Sequence, residues 1–316
     1  MLAFLTRRLL SFLATTLIAS IVVFVVLEVL PGDPALLILG TGAQPDTLAA
    51  LRAEMGLDRP PIERYVAWIG GLLTGDLGAS YTYDVPVAEL IGDRLAITLP
   101  LTLLALALST ALALPLGMLA AARHNRPGDY AVMAFSQIGV AVPNFWLGIM
   151  LTLIFAVRLG WFASGGFPGW GAGAWEALKA LVLPATALAV TQAAILARVV
   201  RSAVLETLRE DYVRTARAKG LSPAAVMRRH VLRNALIPIT TIIGLQFGFL
   251  IAGAIVVENV FYLPGLGRLL YQAVSQRDLV VVKDVVVLIT LMVVAANFAV
   301  DLLYALIDPR PKAGRA

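Results

Sequence analysis

The chain has 316 residues, of which 59% are hydrophobic and only 14% charged, with a formal net charge of +5 and a mean hydropathy of +0.86. Soluble domains carry about a quarter charged residues, so one water-soluble domain of this length cannot hide so much apolar surface. The absence of cysteine excludes disulfides, thiolate metal sites and cysteine nucleophiles.

The two histidines, His124 and His230, both sit in basic segments, which argues against a histidine metal site or a catalytic triad; the site expectation is no catalytic residue and no metal. A pI near 9.7 invites a nucleic-acid reading, but where the charges lie decides that, not their sum.

A bilayer core about 30 Å thick needs roughly 20 apolar helical residues to cross it. In chain order, residues 9–30, 95–121, 131–157, 178–197, 235–257 and 285–307 meet that need. Their apolar character runs all round the helix, not along one stripe. The expected fold is an all-α integral membrane protein with six transmembrane helices and a single transmembrane domain over residues 1–316. The first segment starts like a signal peptide. Its apolar run is too long for one and no small-x-small cleavage site follows, so it is read as a retained span.

Basic residues set the orientation. With the N-terminus inside, the cytoplasmic pieces 1–8, 122–130, 198–234 and 308–316 hold sixteen basic residues against five acidic ones. Both termini are therefore expected in the cytoplasm. Residues 31–94 then form a long external loop. Pro31, Gly32 and Pro34 stop the first helix, and short amphipathic helices broken at Gly56 and Pro60-Pro61 follow as a small helical cap.

The cytoplasmic loop 198–234 contains "DYVRTARAKGLSPAAVMRRHVLRN". Asp211 to Lys219 reads as a helix ended by Gly220. Ser222 offers an N-cap oxygen and Pro223 suits the first helical position of a second helix, which leads into the fifth span. DNA binding, the usual use of a basic helix–turn–helix, needs free access to a major groove, and this one is wedged between two spans. Arg228, Arg229 and Arg233 are placed to reach lipid headgroups. The small residues from Thr215 to Gly220 leave a compact knob able to enter a cleft.

Polar residues inside the spans mark where backbone or side chain escapes lipid. They are Gln137, Pro143 and Asn144 in the third span, Gln192 in the fourth, Gln246 in the fifth, and Asn297 and Asp301 one turn apart on the sixth. Each amide either holds the bundle together or lines a route through it. For Asp301 the alternatives are a structural pair with Arg198 or Arg201 and a role in transport. Glu28 and Glu258 stand at the outer ends of their spans, where an interfacial carboxylate can be solvated.

"RTARAKGLSPAAVMRRHVLRNALIP" resembles the cytoplasmic coupling motif of ABC importer permeases, specifically the peptide, oligopeptide and nickel group. "EVLPGDP", "AVPNFWLG", "VVENVFYLPGLGRLL" and the terminal "DPR" are similar to the same group, and its first-subunit type matches best because of the long external loop. Aligned on Gly220, Arg214-Thr215-Ala216 stands where the general motif has Glu-Ala-Ala, and His230-Val231-Leu232-Arg233 stands at its ending. A salt bridge made through the missing glutamate is thus not carried over.

The resemblance implies a type I importer fold and a permease for di- or oligopeptides, or a similar small solute such as glutathione or chelated nickel. It assigns ATPase coupling to Arg214, Thr215, Ala216, Arg217, Lys219, Gly220, Leu221, Ser222 and Pro223. It raises the role of Glu258 and Asn259 in shaping the outer gate. Implied partners are a homologous second permease subunit, two cytoplasmic ATPase subunits carrying ATP and Mg, an external substrate-binding protein and membrane lipids, but no nucleic acid. The implied location is a bacterial or archaeal cytoplasmic membrane. No G-x-x-x-x-G-K-[ST] occurs in this chain, so nucleotide chemistry is assigned to the partners and no cofactor to the chain itself. The alternative is a stand-alone ion-coupled secondary transporter, against which the lack of an evident repeat argues.

Overall fold

The computed structural model describes residues 2–29, 34–40 and 43–307. Pro31, Gly32 and the "DPR" tail lie outside these residues, as do the side chains of Glu28 and Asp301. In chain order the helices are α1 (Leu2–Val29), α2 (Pro34–Leu39), α3 (Pro45–Glu54), α4 (Pro61–Thr74), α5 (Val87–Ala122), α6 (Pro127–Ala141), α7 (Asn144–Leu151), α8 (Ala174–Leu208), α9 (Asp211–Ala218), α10 (Pro223–Val226), α11 (Arg233–Val260), α12 (Leu266–Gln276) and α13 (Leu279–Ile307). Wider π-type turns continue α7 through Thr152–Arg158 and join α10 to α11 through Met227–Leu232. Among the described residues, the only extended pairing is an isolated bridge between Ala79 and Pro86.

Five stretches are long and apolar enough to cross a membrane: Thr6–Leu27, Val87–Ala122, Ala174–Leu208, Pro223–Val260 and Leu279–Val300. The expected third span, 131–157, differs from the other five. It is a pair, Pro127–Ala141 and Asn144–Arg158, bent by 100°. Pro100, Pro115, Pro184 and Pro238 all sit inside unbroken helices, so proline alone is not the cause. At the break two successive residues leave the helical region, Val142 with ψ 121 and Pro143 with ψ 139. Proline biases its predecessor toward extended backbone, and here both residues take it, which redirects the chain.

The chain divides into two compact units. One contains Ala3–Thr98 and Pro264–Val294. Its core joins Val87 and Ile91 of α5 to Leu266, Leu269 and Ala273 of α12 and to Val281 and Val285 of α13. The cap helices break at Gly56 (φ +68) and restart at Pro61, as the glycine and proline positions predict. Asp278 caps α13: Val281 N–H donates to its Oδ1 (3.3 Å), while Ser80 Oγ (2.5 Å) and Thr82 N–H (3.2 Å) donate to its Oδ2. Trp68 Nε1 donates to Asp284 Oδ1 at 2.6 Å, fixing α4 on α13. The amphipathic α12 was not foreseen; it occupies a connector between two obvious spans.

Among the described residues, the other unit contains Leu2, Leu99–Leu263 and residues 295–307. α8 is its centre, with Ala185, Ala187, Ala189, Ala193, Ala194, Ala197 and Ala203 all buried. Small residues let helix backbones approach closely, the main way that helices pack where lipid offers no hydrophobic drive. Gly117 of α5 shows the tolerance: a Cβ there would lie 2.5 Å from Val200 Cβ and 2.7 Å from the Ala197 carbonyl oxygen. Backbone cannot yield as a side-chain tip can. Gly117→Ala is therefore expected to cost about 1–3 kcal/mol, within the usual range for overpacking. Thermal melting of the purified protein in detergent checks this, and an unchanged midpoint would refute so tight a crossing.

Candidate functional site

α9 begins after Glu210 and runs to Ala218, with Gly220 (φ +80) turning the chain in the left-handed region. Ser222 then caps α10 by accepting from Ala225 N–H at 3.3 Å, and Pro223 fills the first helical position. These features were legible in the sequence. α10 does not stop at a loop: it runs through the π-type turn into α11 as one stretch, Pro223–Val260.

Val213, Ala216, Val226, Val231 and Ala235 are buried with Ala120, Ala121, Val200 and Val204 in a single cluster. Arg214, Thr215, Arg217, Lys219, Gly220, Ser222 and Pro223 are exposed. Two of the expected coupling residues are not exposed with the others. Ala216 is 4% exposed, and Leu221 is half-buried against the same cluster, so both support the knob from beneath. Arg214 pairs with Asp211 at 3.3 Å, but both side chains are solvated, and such pairs contribute little. Partial burial, aided by Glu210, pushes the Tyr212 hydroxyl above its ordinary value, while a bond with Asn234 at the start of α11 lowers it.

Behind the knob lies an ion pair that sequence reading missed. Asp129, in the first turn of α6, is 1% exposed. Its carboxylate accepts from Arg201 Nε (2.5 Å) and Nη2 (2.7 Å) of α8 and from Asn125 N–H (2.9 Å). His124 Nδ1 lies 3.1 Å from Arg201 Nη2 and 3.3 Å from Asp129 Oδ2. A bare Nδ1 accepts from arginine, whereas a protonated one donates to aspartate, so one ring proton selects between these contacts. Arg201 is therefore engaged with Asp129, while the expected pairing of Asp301 with Arg198 or Arg201 falls on a side chain outside the described residues. A cavity of about 560 Å³ opens beside this cluster, lined by His124, Arg201 and Glu206 on one side and Glu210 and Asp211 on the other.

Deeper in the same unit, three of the expected polar residues come together. Asn144, at the start of α7, accepts from Thr191 Oγ1 of α8 at 2.7 Å. Gln246 Nε2 of α11 donates to the Gln192 carbonyl of α8 at 2.8 Å. A Cβ on Gly253 would lie 3.3 Å from Asn144 Nδ2, which puts α11 against the break between α6 and α7. The Oε1 atoms of both Gln192 and Gln246 are buried without a hydrogen-bond partner. The interior thus keeps acceptor capacity at mid-helix, where holding the bundle together uses only part of each amide.

The remaining expected residues are spread out. Gln137 and Pro143 are exposed, Gln137 on α6 and Pro143 at the break. Asn297 is half-buried on α13, and the side chain of Asp301 lies outside the described residues. Glu258 is fully buried, which overturns a solvated interfacial place for it; its carbonyl accepts from Leu263 N–H at 2.9 Å. Asn259 is spent locally, donating to the Ile255 carbonyl at 2.7 Å. Among the described residues, no group of three or more His, Asp or Glu side chains is gathered to hold a metal ion.

Residues 113–313 match the family described as binding-protein-dependent transport system inner membrane component, and residues 1–102 match its N-terminal membrane component. A permease of Brucella suis biovar 1, named for a peptide transport system, is 42% identical over 317 residues, covering 98% of this chain and 99% of the relative. The glutathione transport system permease protein GsiC of Salmonella choleraesuis is 42% identical over 309 residues, with 98% of each chain covered. Among solved structures, a chain of the MetNI methionine ABC transporter in inward-facing conformations aligns with a TM-score of 0.58 at 23% identity, over 70% of this chain and 97% of that one. A chain of an amino acid ABC transporter with histidines aligns at 0.53 and 20% identity, over 68% and 93%. At these identities the likeness concerns the fold alone. With two family matches that together cover nearly all of the sequence, the chain belongs to the binding-protein-dependent transport system inner membrane component family, as a membrane-spanning permease subunit of an ABC importer.

Proposed function

We propose that this permease moves di- or oligopeptides, or a similar small solute such as glutathione, inward across a bacterial or archaeal cytoplasmic membrane, with residues 1–316 acting as one transmembrane domain. The names of the Brucella and Salmonella relatives support the substrate class. The working assembly has a second, homologous permease subunit, two cytoplasmic ATPase subunits that bind ATP and Mg, and an external binding protein that delivers the solute. Family membership favours this over the stand-alone ion-coupled alternative, because the family is named for dependence on a binding protein.

One observation carries the mechanism: the largely exposed segment from Arg214 to Pro223 leads directly into one continuous helical stretch, Pro223–Val260. A load placed on the turn by an ATPase subunit travels along α11 to Gln246, Gly253 and Glu258. The π-type turn at Met227–Leu232 is the place for that stretch to flex, since such turns interrupt regular bonding and recur at functional sites. In this reading Asn144, Gln192 and Gln246 line the route with their amides, joined by Gln137, Pro143, Asn297 and Asp301. Glu258 and Asn259 shape its outer gate, and buried Glu258 is the candidate partner for a peptide amino group.

Reconstituted uptake tests the function: the permease pair with its ATPases and binding protein should import a labelled peptide only with ATP present. Uptake without ATPase subunits would refute it. Topology is tested separately in this cysteine-free chain. Cysteines placed singly at the exposed positions Ala49 and Ala224 should react differently with an impermeant thiol reagent in intact cells, position 49 labelling and position 224 not. The opposite pattern would reverse the orientation.

A further inference from the structure

The cap encloses a pocket of about 340 Å³ that the transport reading does not use. Phe24 and Leu27, from the last turns of α1, form one wall, and Leu279, Val280 and Lys283, from the start of α13, form another. Both helices have the length and composition of membrane spans. Their ends put the pocket at the depth where hydrocarbon gives way to headgroups.

Its polar side is cationic. Arg59, Arg64 and Lys283 line it together with Trp68 and Tyr81. Arg64 Nη1 donates to the Leu57 carbonyl at 3.2 Å, which orients its planar fork. Arg59 folds back over the turn at Gly56, its Nε 3.8 Å from where a Cβ would stand. Lys283 Nζ sits 4.9 Å from the centre of the Trp68 ring. One carboxylate, Asp76, also lines the pocket, so three basic side chains face a single acid there. Asp76 Oδ1 accepts from Gly78 N–H, Asp278 accepts from Ser80 and Thr82, and Asp284 accepts from Trp68. Burial pushes the Tyr81 hydroxyl above its ordinary value and Asp278 adds to the rise, with Arg64 opposing, so the phenol remains a neutral donor.

The apolar side continues downward. Leu13 and Leu17 share the face of α1 that carries Phe24 and Leu27, at helical spacing, and each is 53% exposed. A cationic, aromatic-rimmed pocket above an exposed apolar track matches a phosphate joined to acyl chains. Basic residues and interfacial aromatics are the side chains that meet headgroups in membrane proteins. A soluble anion would make no use of the track. We propose that this pocket binds the phosphate of an anionic phospholipid, its acyl chains lying along α1. The inference rests on the membrane placement of α1 and α13 and is independent of the transported solute.

The test is native mass spectrometry of the full importer complex, purified and mixed with phosphatidylglycerol, with an uncharged galactolipid of the same acyl chains, or with inorganic phosphate. Phosphatidylglycerol should be retained and the galactolipid lost, with no displacement by inorganic phosphate. Arg59→Gln and Lys283→Gln should each weaken retention about fivefold, the scale of one basic residue near an anionic surface. Arg59 is exposed, so its variant leaves folding untouched and keeps the test valid if the Lys283 variant assembles poorly. Equal retention of the galactolipid or unchanged retention in the Arg59 variant would overturn the proposal. So would displacement by inorganic phosphate, or loss of lipid on adding the external binding protein.

Discussion

Replacing Asp129 with asparagine is expected to destabilise the protein by about 2–4 kcal/mol and to lower the yield of assembled complex. Removing one member of a fully buried ion pair costs about 3–5 kcal/mol, because the other charge is left desolvated and unmatched. The figure here is set lower because the Arg201 side chain keeps 21% of its exposure, against 2% for Asp129. Asparagine preserves shape and one acceptor, so the loss reports the charge and the second bond from Arg201. The check is a double-mutant cycle: Asp129→Asn, Arg201→Gln and the pair, compared by thermal melting in detergent. The double variant should be less damaged than the two single losses summed. Strict additivity, or a single variant that melts like the parent, would show that the pair holds nothing.

That ion pair also shows where sequence reading stops. Its members are 72 residues apart and neither lies in a recognisable motif. Pro127, Gly128 and Asp129 announce a helix start with an acid in its first turn, and nothing in that signal names Arg201 as the partner. The spans were legible because a bilayer imposes a length and a composition on each crossing. The cap was legible because Gly56 and Pro60-Pro61 punctuate it. The 100° break was only half legible: Pro143-Asn144 marked irregularity, but four other prolines sit inside unbroken helices, and ψ at two neighbouring residues made the difference. Burial of Glu258 was not legible at all, since it stands at the end of an apolar run, where depth depends on neighbours from other helices.

The knob at Gly220 was the most legible site, and Gly220→Val is expected to uncouple the importer while leaving it assembled. Its φ of +80 is a conformation that costs an ordinary residue about 1–2 kcal/mol, and a β-branched one fits it worst. No heavy atom lies within 4 Å of a Cβ built there, so the substitution brings no clash and the cost is purely one of backbone. The chain relieves it by reshaping the turn. Val213, Ala216 and Val226 hold both flanking helices in the core, so the change is confined to the stretch from Arg217 to Pro223, exposed apart from half-buried Leu221. A contact weakened there by about 1.4 kcal/mol is a tenfold loss in occupancy, and coupling falls with it. Uptake should therefore drop on the order of tenfold, with ATPase activity no longer rising when loaded binding protein is added. Gly220→Asn is the control, because asparagine enters the left-handed region more readily than other side chains and should retain most of the coupling. Melting temperature and subunit stoichiometry should match the parent in both variants. Normal uptake and normal ATPase stimulation in the valine variant would remove this turn from the mechanism, and loss of assembly in both variants would make it a folding element instead.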